Sequence, residues 1–326
     1  MKPQFILKRT DELTEREKEQ FIDLFSLTFA KDMTPDWFDR KYLRTPLGYS
    51  YHGLMLAGSS IVGAYNAIPY MYRYFGRNGT FCLSVDTMIH EQYRKGPFSL
   101  VRMAELVLNA MEQDRICFAF GFPNDNAYEY AKKVLHWRDI GELDYYILPR
   151  NVGAVVPKLR WLNLVSRTCS DTLVRLPLRR RRIDPHACLH WQTWGVEKVR
   201  SKEFEGHRYD SSYRMVNLGA AGECVYRIHL EDGGVRVLYV IDVYPLTPAV
   251  FDAAIERVYV ESAHTVDLVL YVGKLPFVPT RMIRLPKSKR PREVKMCGKI
   301  LDPGVIDDRV FQIENWNVNI SNFDVR

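Results

Sequence analysis

Leu13 to Phe29 places its apolar residues at helical spacing and predicts an amphipathic helix. After it the period changes. YHGLMLAG (51–58), IVGAYNAIPYMYRYF (61–75) and TFCLSVDTMI (80–89) are apolar runs rich in Tyr, Ile, Val and Phe, which predict strands. Gly76-Arg77-Asn78-Gly79 separates the last two as a hairpin signal. SLVRMAELVLNAMEQ (99–113) returns to the helical period, with Leu100, Ala104, Val107 and Met111 on one stripe. ICFAFG (116–121) reads as a buried strand. Phe122-Pro123-Asn124 then turns the chain into a short helix ending near Leu135, and LDYYIL (143–148) is expected to close this half before Pro149.

Part of this order returns later in the chain. VYRIHLEDGGVRVLYVIDV (225–243) predicts a hairpin turned at Asp232-Gly233-Gly234. PAVFDAAIERVYVESA (248–263) predicts a helix and DLVLYVG (267–273) a buried strand. The strand ends match as well, Gly121-Phe122-Pro123 against Gly273-Lys274-Leu275-Pro276. The repeated unit is strand, helix, strand, which implies an α/β (α+β) chain of two mixed-sheet halves in tandem. The halves differ in the loop before the helix: YRKGPF (93–98) in the first, YPLTP (244–248) in the second, without glycine or basic residue. The second half is therefore expected to be degenerate.

Composition narrows the classes. A chain of 326 residues with 47% hydrophobic and 13% aromatic content has material for real cores. No stretch approaches the roughly 18 apolar residues of a membrane span. The start MKPQFILKRTDELTERE turns acidic too early for a signal peptide. The six cysteines are scattered without a C-x-x-C pair, and several lie in strand-like runs. These features lead us to expect a cytoplasmic protein without disulfides or structural zinc.

The net charge of +7 is concentrated in one place. Residues 1–150 hold 19 basic and 19 acidic residues, 151–190 hold 8 and 2, and 191–326 hold 19 and 18. The excess falls on a connector containing RLPLRRRRI (175–183), which reads as a solvated segment or as a weak contact for an anionic surface. Nucleic-acid binding would call for a broad basic face, so it is not expected. The domains expected from sequence are 1–150, a basic connector 151–190, and 191–326.

The strand–YRKGPF–helix arrangement, with GFPNDN (121–126) and LHWRDIGELDYYIL (135–148) after it, resembles the GNAT (Gcn5-related N-acetyltransferase) superfamily over residues 20 to 150. The usual loop in that family is one residue longer and has a further glycine. The resemblance implies a site for coenzyme A or acyl-CoA, with pyrophosphate on the amides that open the helix. Arg94, Lys95, Gly96, Pro97 and Phe98 are the loop positions it assigns to the cofactor. Met88 and Ile89 would offer backbone N–H groups to the thioester. The run to NWNVNISNFDVR (315–326) is similar to the C-terminal halves of bacterial tandem GNAT sugar N-acyltransferases. These act on nucleotide-linked amino-deoxysugars, such as dTDP-3-amino-3,6-dideoxyhexoses, for surface polysaccharide and lipopolysaccharide (O-antigen) synthesis.

Direct acyl transfer to an amine needs a base, an oxyanion donor and a groove for both substrates. Asp86 is the candidate base, or else a hydrogen-bonded edge carboxylate. His90 is its rival, or else a solvated loop histidine. Asn124 and Asn126 suit contacts to pantetheine or acceptor, and equally a turn and a helix N-cap. Lys132 stands where many relatives carry the tyrosine that protonates the departing thiolate, with Tyr128 and Tyr130 displaced from it. No metal-ligand spacing or nucleophile motif is present. The expected function is acyl-CoA-dependent N-acylation of a nucleotide-linked amino sugar. The alternatives are a FemAB-like aminoacyl transferase and a non-catalytic pseudo-enzyme that binds CoA or a partner.

Overall fold

The computed structural model describes residues 3–94, 96–175, 194–262 and 264–323. Lys95 and residues 176–193, which include Arg179 to Arg182 of the basic connector, lie outside them. The strands in chain order are β1 (Gln4–Arg9), β2 (Tyr51–Ala57), β3 (Ser60–Tyr74), β4 (Arg77–Ile89), β5 (Phe118–Gly121), β6 (Arg138–Glu142) and β7 (Asp144–Pro149). They continue with β8 (Val196–Lys198), β9 (Arg214–Asn217), β10 (Glu223–Leu230), β11 (Arg236–Tyr244), β12 (Leu268–Gly273), β13 (Ile283–Arg284) and β14 (Lys295–Ile300). The helices are α1 (Glu15–Phe29), α2 (Pro35–Phe38), α3 (Phe98–Gln113), α4 (Asp125–Lys133), α5 (Val152–Val155), α6 (Asn163–Arg175), α7 (Lys202–Arg208) and α8 (Pro248–Ser262).

The protein is a mixed α/β chain with two mixed sheets. It divides into two compact units that are not consecutive halves. Unit 1 is Met1–Glu142, Gly195–Arg208 and Val294–Trp316; unit 2 is Leu143–Trp194, Tyr209–Glu293 and Asn317–Arg326. The boundaries expected at 150 and 190 differ from this division because two strands do not follow chain order. LDYYIL does not close the first sheet. As β7 it pairs antiparallel with β12 in unit 2, while β14 lies between β5 and β6 in unit 1. Tyr145, Tyr146 and Leu148 of β7 are all buried, and apolar periodicity cannot say which sheet such a strand joins.

The main path of the unit 1 sheet runs β1-β2-β3-β4-β5-β14-β6. The β3–β4 hairpin turns at Phe75-Gly76, with Tyr74 opposite Arg77, two residues before the expected Gly76–Gly79 turn. Both turn residues have positive φ, 43° and 85°, which matches the right-handed twist of the paired strands. Met103, Ala104, Val107 and Met111 of α3 pack against Tyr51, Met55, Tyr65 and Ala67 on one face. On the other face α1, started by a Thr14–Glu17 capping box, brings Phe21 against Phe38, Tyr42 and His52.

In unit 2 the sheet order is β13-β7-β12-β11-β10-β9, with α8 supplying Val250, Phe251, Ala254, Ile255 and Val258 to its core. The β10–β11 hairpin and the parallel β11–β12 pair repeat the grammar of β3–β4 and β4–β5.

Candidate active site

Strand β4 pairs in parallel with β5 from Phe81↔Phe118 to Ser84↔Gly121. Beyond Ser84 it continues to Ile89 with β3 as partner, so a gap opens between β4 and the chain leaving β5. At the mouth of the gap β4 carries an extra residue: Val85 faces Asn66 and Met88 faces Ala64, leaving Asp86 and Thr87 opposite Tyr65 alone. This is a β-bulge, and Asp86 adopts φ 43° within it. An aspartate tolerates that left-handed conformation better than most residues.

The bulge is held from the buried side. The Asn66 side-chain N–H donates to the Asp86 carbonyl at 2.8 Å. That fixes the Asn66 amide, since reversing it would set two oxygens against each other. Its Oδ1 then faces His52 Nδ1 at 2.8 Å, so Nδ1 carries the proton. His52 Nε2 is left as acceptor for the Thr10 hydroxyl, 2.8 Å away, and Thr10 Oγ1 accepts the Ser50 N–H at 3.1 Å. Thr10, Ser50, His52 and Asn66 are all 0% exposed. Burial holds the His52 imidazole down at about 4, against an opposing push from Asn66, so it is neutral at physiological pH. The directional chain ends on the carbonyl of the strained residue.

The Asp86 carboxylate has partners of its own. Its Oδ2 accepts the Tyr42 hydroxyl and forms an ion pair with Lys41, whose side chain is 6% exposed. Lys41 and Tyr42 lie on a π-helical turn, Asp39–Leu43, that follows α2 and is closed by Arg44 N–H on Asp39 O at 2.7 Å. Such turns are rare, and many of those known lie at functional sites. The Asp86 carboxylate is thus hydrogen-bonded and ion-paired within unit 1. Any proton it takes from an amine must be accommodated beside Lys41.

The His90 N–H bonds Val62 O at 2.9 Å. Alternation along β4 then turns the Met88 N–H back to β3 and the Ile89 N–H toward the gap. The Ile89 carbonyl, on the same side, accepts Arg94 Nε at 2.6 Å. Of the two expected backbone donors, only Ile89 therefore faces the gap. Gly96 follows at φ 79°, and a β-carbon placed on it would meet nothing within 4 Å, so glycine is needed there for conformation rather than space. Pro97 caps α3 without a side-chain hydrogen bond. The first intrahelical bond is Val101 N–H to Pro97 O at 3.0 Å. The N–H groups of Phe98, Ser99 and Leu100 precede it at the positive end of the helix dipole. The first turn of α3 contains no acidic residue. This donor set and the open loop fit the pyrophosphate of CoA.

Other expected residues fall in ordinary structural roles. His90 Nδ1 accepts the Gln92 N–H at 3.4 Å and caps a short turn. Asn124 caps α4 through Ala127 N–H at 2.9 Å, and Asn126 is exposed in the first turn of α4. Lys132 pairs with Asp139, and that hydrogen bond raises the Lys132 ammonium above its ordinary range. Burial and the same aspartate raise the Tyr128 phenol. Both groups are therefore weaker acids than usual. Among the described residues no group of three His, Cys, Asp or Glu side chains could hold a metal ion.

Unit 2 contains the same geometry, filled. β11 pairs with β12 as far as Val240↔Tyr271, and a bulge follows at Ile241 beside Asp242. Asp242 thus stands two residues past the last parallel pair, as Asp86 does past Ser84. Here Lys274 N–H bonds Val318 O at 2.8 Å and Gly273 bridges Asn319. Asn319 Nδ2 donates to Asp242 Oδ1 at 2.9 Å. Gly273 has no room for a side chain: a β-carbon would sit 2.8 Å from Val318 O. The chain's own residues 318–319 occupy this gap, whereas among the described residues no strand enters the corresponding gap of unit 1.

No family model and no curated protein sequence matches this chain. Solved structures do. A conserved protein of unknown function from Enterococcus faecalis V583, described as a probable N-acyltransferase, aligns over 92% of this chain and 73% of its own, with 13% identity and a TM-score of 0.57. A GCN5-related N-acetyltransferase from Anabaena variabilis ATCC 29413 aligns over 91% and 73%, with 12% identity and a TM-score of 0.58. One from Kribbella flavida aligns over 91% and 72%, with 15% identity and a TM-score of 0.58. At these identities the likeness is one of fold: the chain has the fold of GCN5-related N-acyltransferases.

Proposed function

We propose that the protein is an acyl-CoA-dependent N-acyltransferase working through the gap of unit 1. The observation that carries this reading is the coincidence, on one strand end, of a held bulge, an inward N–H at Ile89 and an uncapped helix start after Gly96. The fold likeness to N-acyltransferases supports it.

When bound, acyl-CoA supplies the activated acyl group as a thioester with a good leaving group. Arg94, Lys95 and the first amides of α3 hold its pyrophosphate. The Ile89 N–H is the donor this edge offers to a carbonyl that gains negative charge during transfer. Asp86 takes the proton of the acceptor amine, and Lys41 and Tyr42 keep its carboxylate aimed. The acceptor we propose is the amino group of a nucleotide-linked amino sugar, a choice supported by the resemblance of the C-terminal run.

The test is thiol release from acetyl-CoA on addition of amines, followed by a thiol reagent. Release that depends on a nucleotide-linked amino sugar supports both parts of the proposal. Release with other amines only retains the acyl transfer and removes the sugar. CoA binding without turnover on any amine would leave the pseudo-enzyme reading in its place.

A further inference from the structure

Val155, Val156, Trp161, Leu164 and Val165 of unit 2 are all exposed large apolar side chains within one short stretch of chain. Trp161 is 75% and Leu164 74% exposed. They sit on an ordered scaffold. The Ser166 hydroxyl donates to Arg150 O at 2.8 Å, and Asn163 Oδ1 accepts the Gly153 N–H at 2.6 Å. Ser170 bonds Pro149 O at 2.7 Å, and Tyr259 bonds Asp171 at 2.6 Å. Ser166, Ser170 and the fully buried Val174 therefore form the inner stripe of α6. Trp161, Leu164 and Val165 stand on the other side, followed at helical spacing by the exposed Thr168 and Thr172.

Within residues 150–175 themselves the exposed charges have one sign. Lys158, Arg160, Arg167 and Arg175 are exposed, and Asp171, the only acidic residue from 150 to 175, is hydrogen-bonded by Tyr259. The five apolar side chains expose roughly 500 Å², enough to mark an interaction site. That is short of the ~800 Å² each partner gives to a stable protein interface. A tryptophan with aliphatic neighbours, flanked by cations, suits a lipid headgroup boundary. We infer that the outer face of residues 155–165 docks reversibly on a membrane surface bearing anionic lipids, a contact that does not depend on the acyl-transfer reading.

The test is co-sedimentation of the full chain with vesicles of phosphatidylcholine alone, or of phosphatidylcholine with a third phosphatidylglycerol. The expected result is at least tenfold tighter binding to the anionic vesicles at low salt, weakening as salt screens the charges. Trp161→Glu with Leu164→Glu should abolish it without moving the melting temperature. Should that variant fail to fold, Lys158→Gln with Arg160→Gln decides, with an expected loss of about tenfold or more. Absence of vesicle binding overturns the inference, as does binding that neither variant weakens. Self-association in solution that the glutamate variant disrupts, without vesicle binding, assigns the face to a protein contact instead and also overturns it.

Discussion

The side-chain amide of Asn66 donates to the backbone carbonyl of Asp86 across 2.8 Å, and so ties a neutral buried histidine to the left-handed residue at the mouth of the gap. His52 and Asn66 are direct partners in the β2–β3 register, so the tie runs straight across the sheet. Asn66→Asp keeps the shape but presents an oxygen to the carbonyl. We expect a stability loss of about 1–3 kcal/mol, the cost of unsatisfied buried groups. Turnover should fall more than tenfold as the bulge relaxes. Chemical denaturation and single-turnover rates measure the two effects, and an unchanged rate would mean that the bulge needs no tie.

His52 also predicts a pH dependence of stability. Its folded value lies near 4, below the ordinary imidazole range. As pH falls through about 6.5 the unfolded chain takes up a proton that the folded chain refuses, so stability drops until both forms are protonated below about 4. The loss across that window is up to about 3 kcal/mol. His52→Asn retains a donor toward Asn66 and should flatten this part of the curve. A wild-type curve that is flat between pH 6.5 and 4 contradicts the assignment.

Asp86 separates a base from an anchor. Asp86→Asn removes one partner of a buried ion pair with Lys41, and breaking such a pair costs about 3–5 kcal/mol. If Asp86 is also the base, turnover should fall about a hundredfold while CoA affinity holds. Adding Lys41→Met should recover stability without recovering turnover. Recovery of both in the double variant would make Asp86 an anchor only.

In unit 2, Gly273→Ala should push residues 318–319 out of the β11–β12 gap, because the new β-carbon meets the Val318 carbonyl. We expect a lower melting temperature and unchanged CoA affinity, since the proposed cofactor loop belongs to unit 1. Loss of CoA binding together with retained stability would relocate the site.

What the sequence made legible was local. The strand before YRKGPF, the helix after it and the repeat of strand, helix, strand all follow from short-range periodicity and turn residues. The bulge does not, because it exists only in the register of β3 against β4. His52 and Asn66 stand in the sequence as single polar residues inside apolar runs, and only the hairpin register makes them partners. Lys41 and Tyr42 lie in the stretch Asp39 to Arg44, which carries no sequence mark for a π-helical turn. The placement of β7 and β14 in sheets away from their chain neighbours is a property of long-range pairing and leaves no pattern to read.

The proposed function places one acyl-CoA per chain at the Arg94–Phe98 loop of unit 1. Calorimetric titration of CoA and of pantetheine into the wild type and into Arg94→Ala with Lys95→Ala tests it most directly. One CoA per chain and at least a tenfold loss of CoA affinity in the variant are expected. Pantetheine, which lacks the pyrophosphate, should bind both proteins equally. Two CoA per chain, equal losses for both ligands, or no binding to the wild type would contradict it.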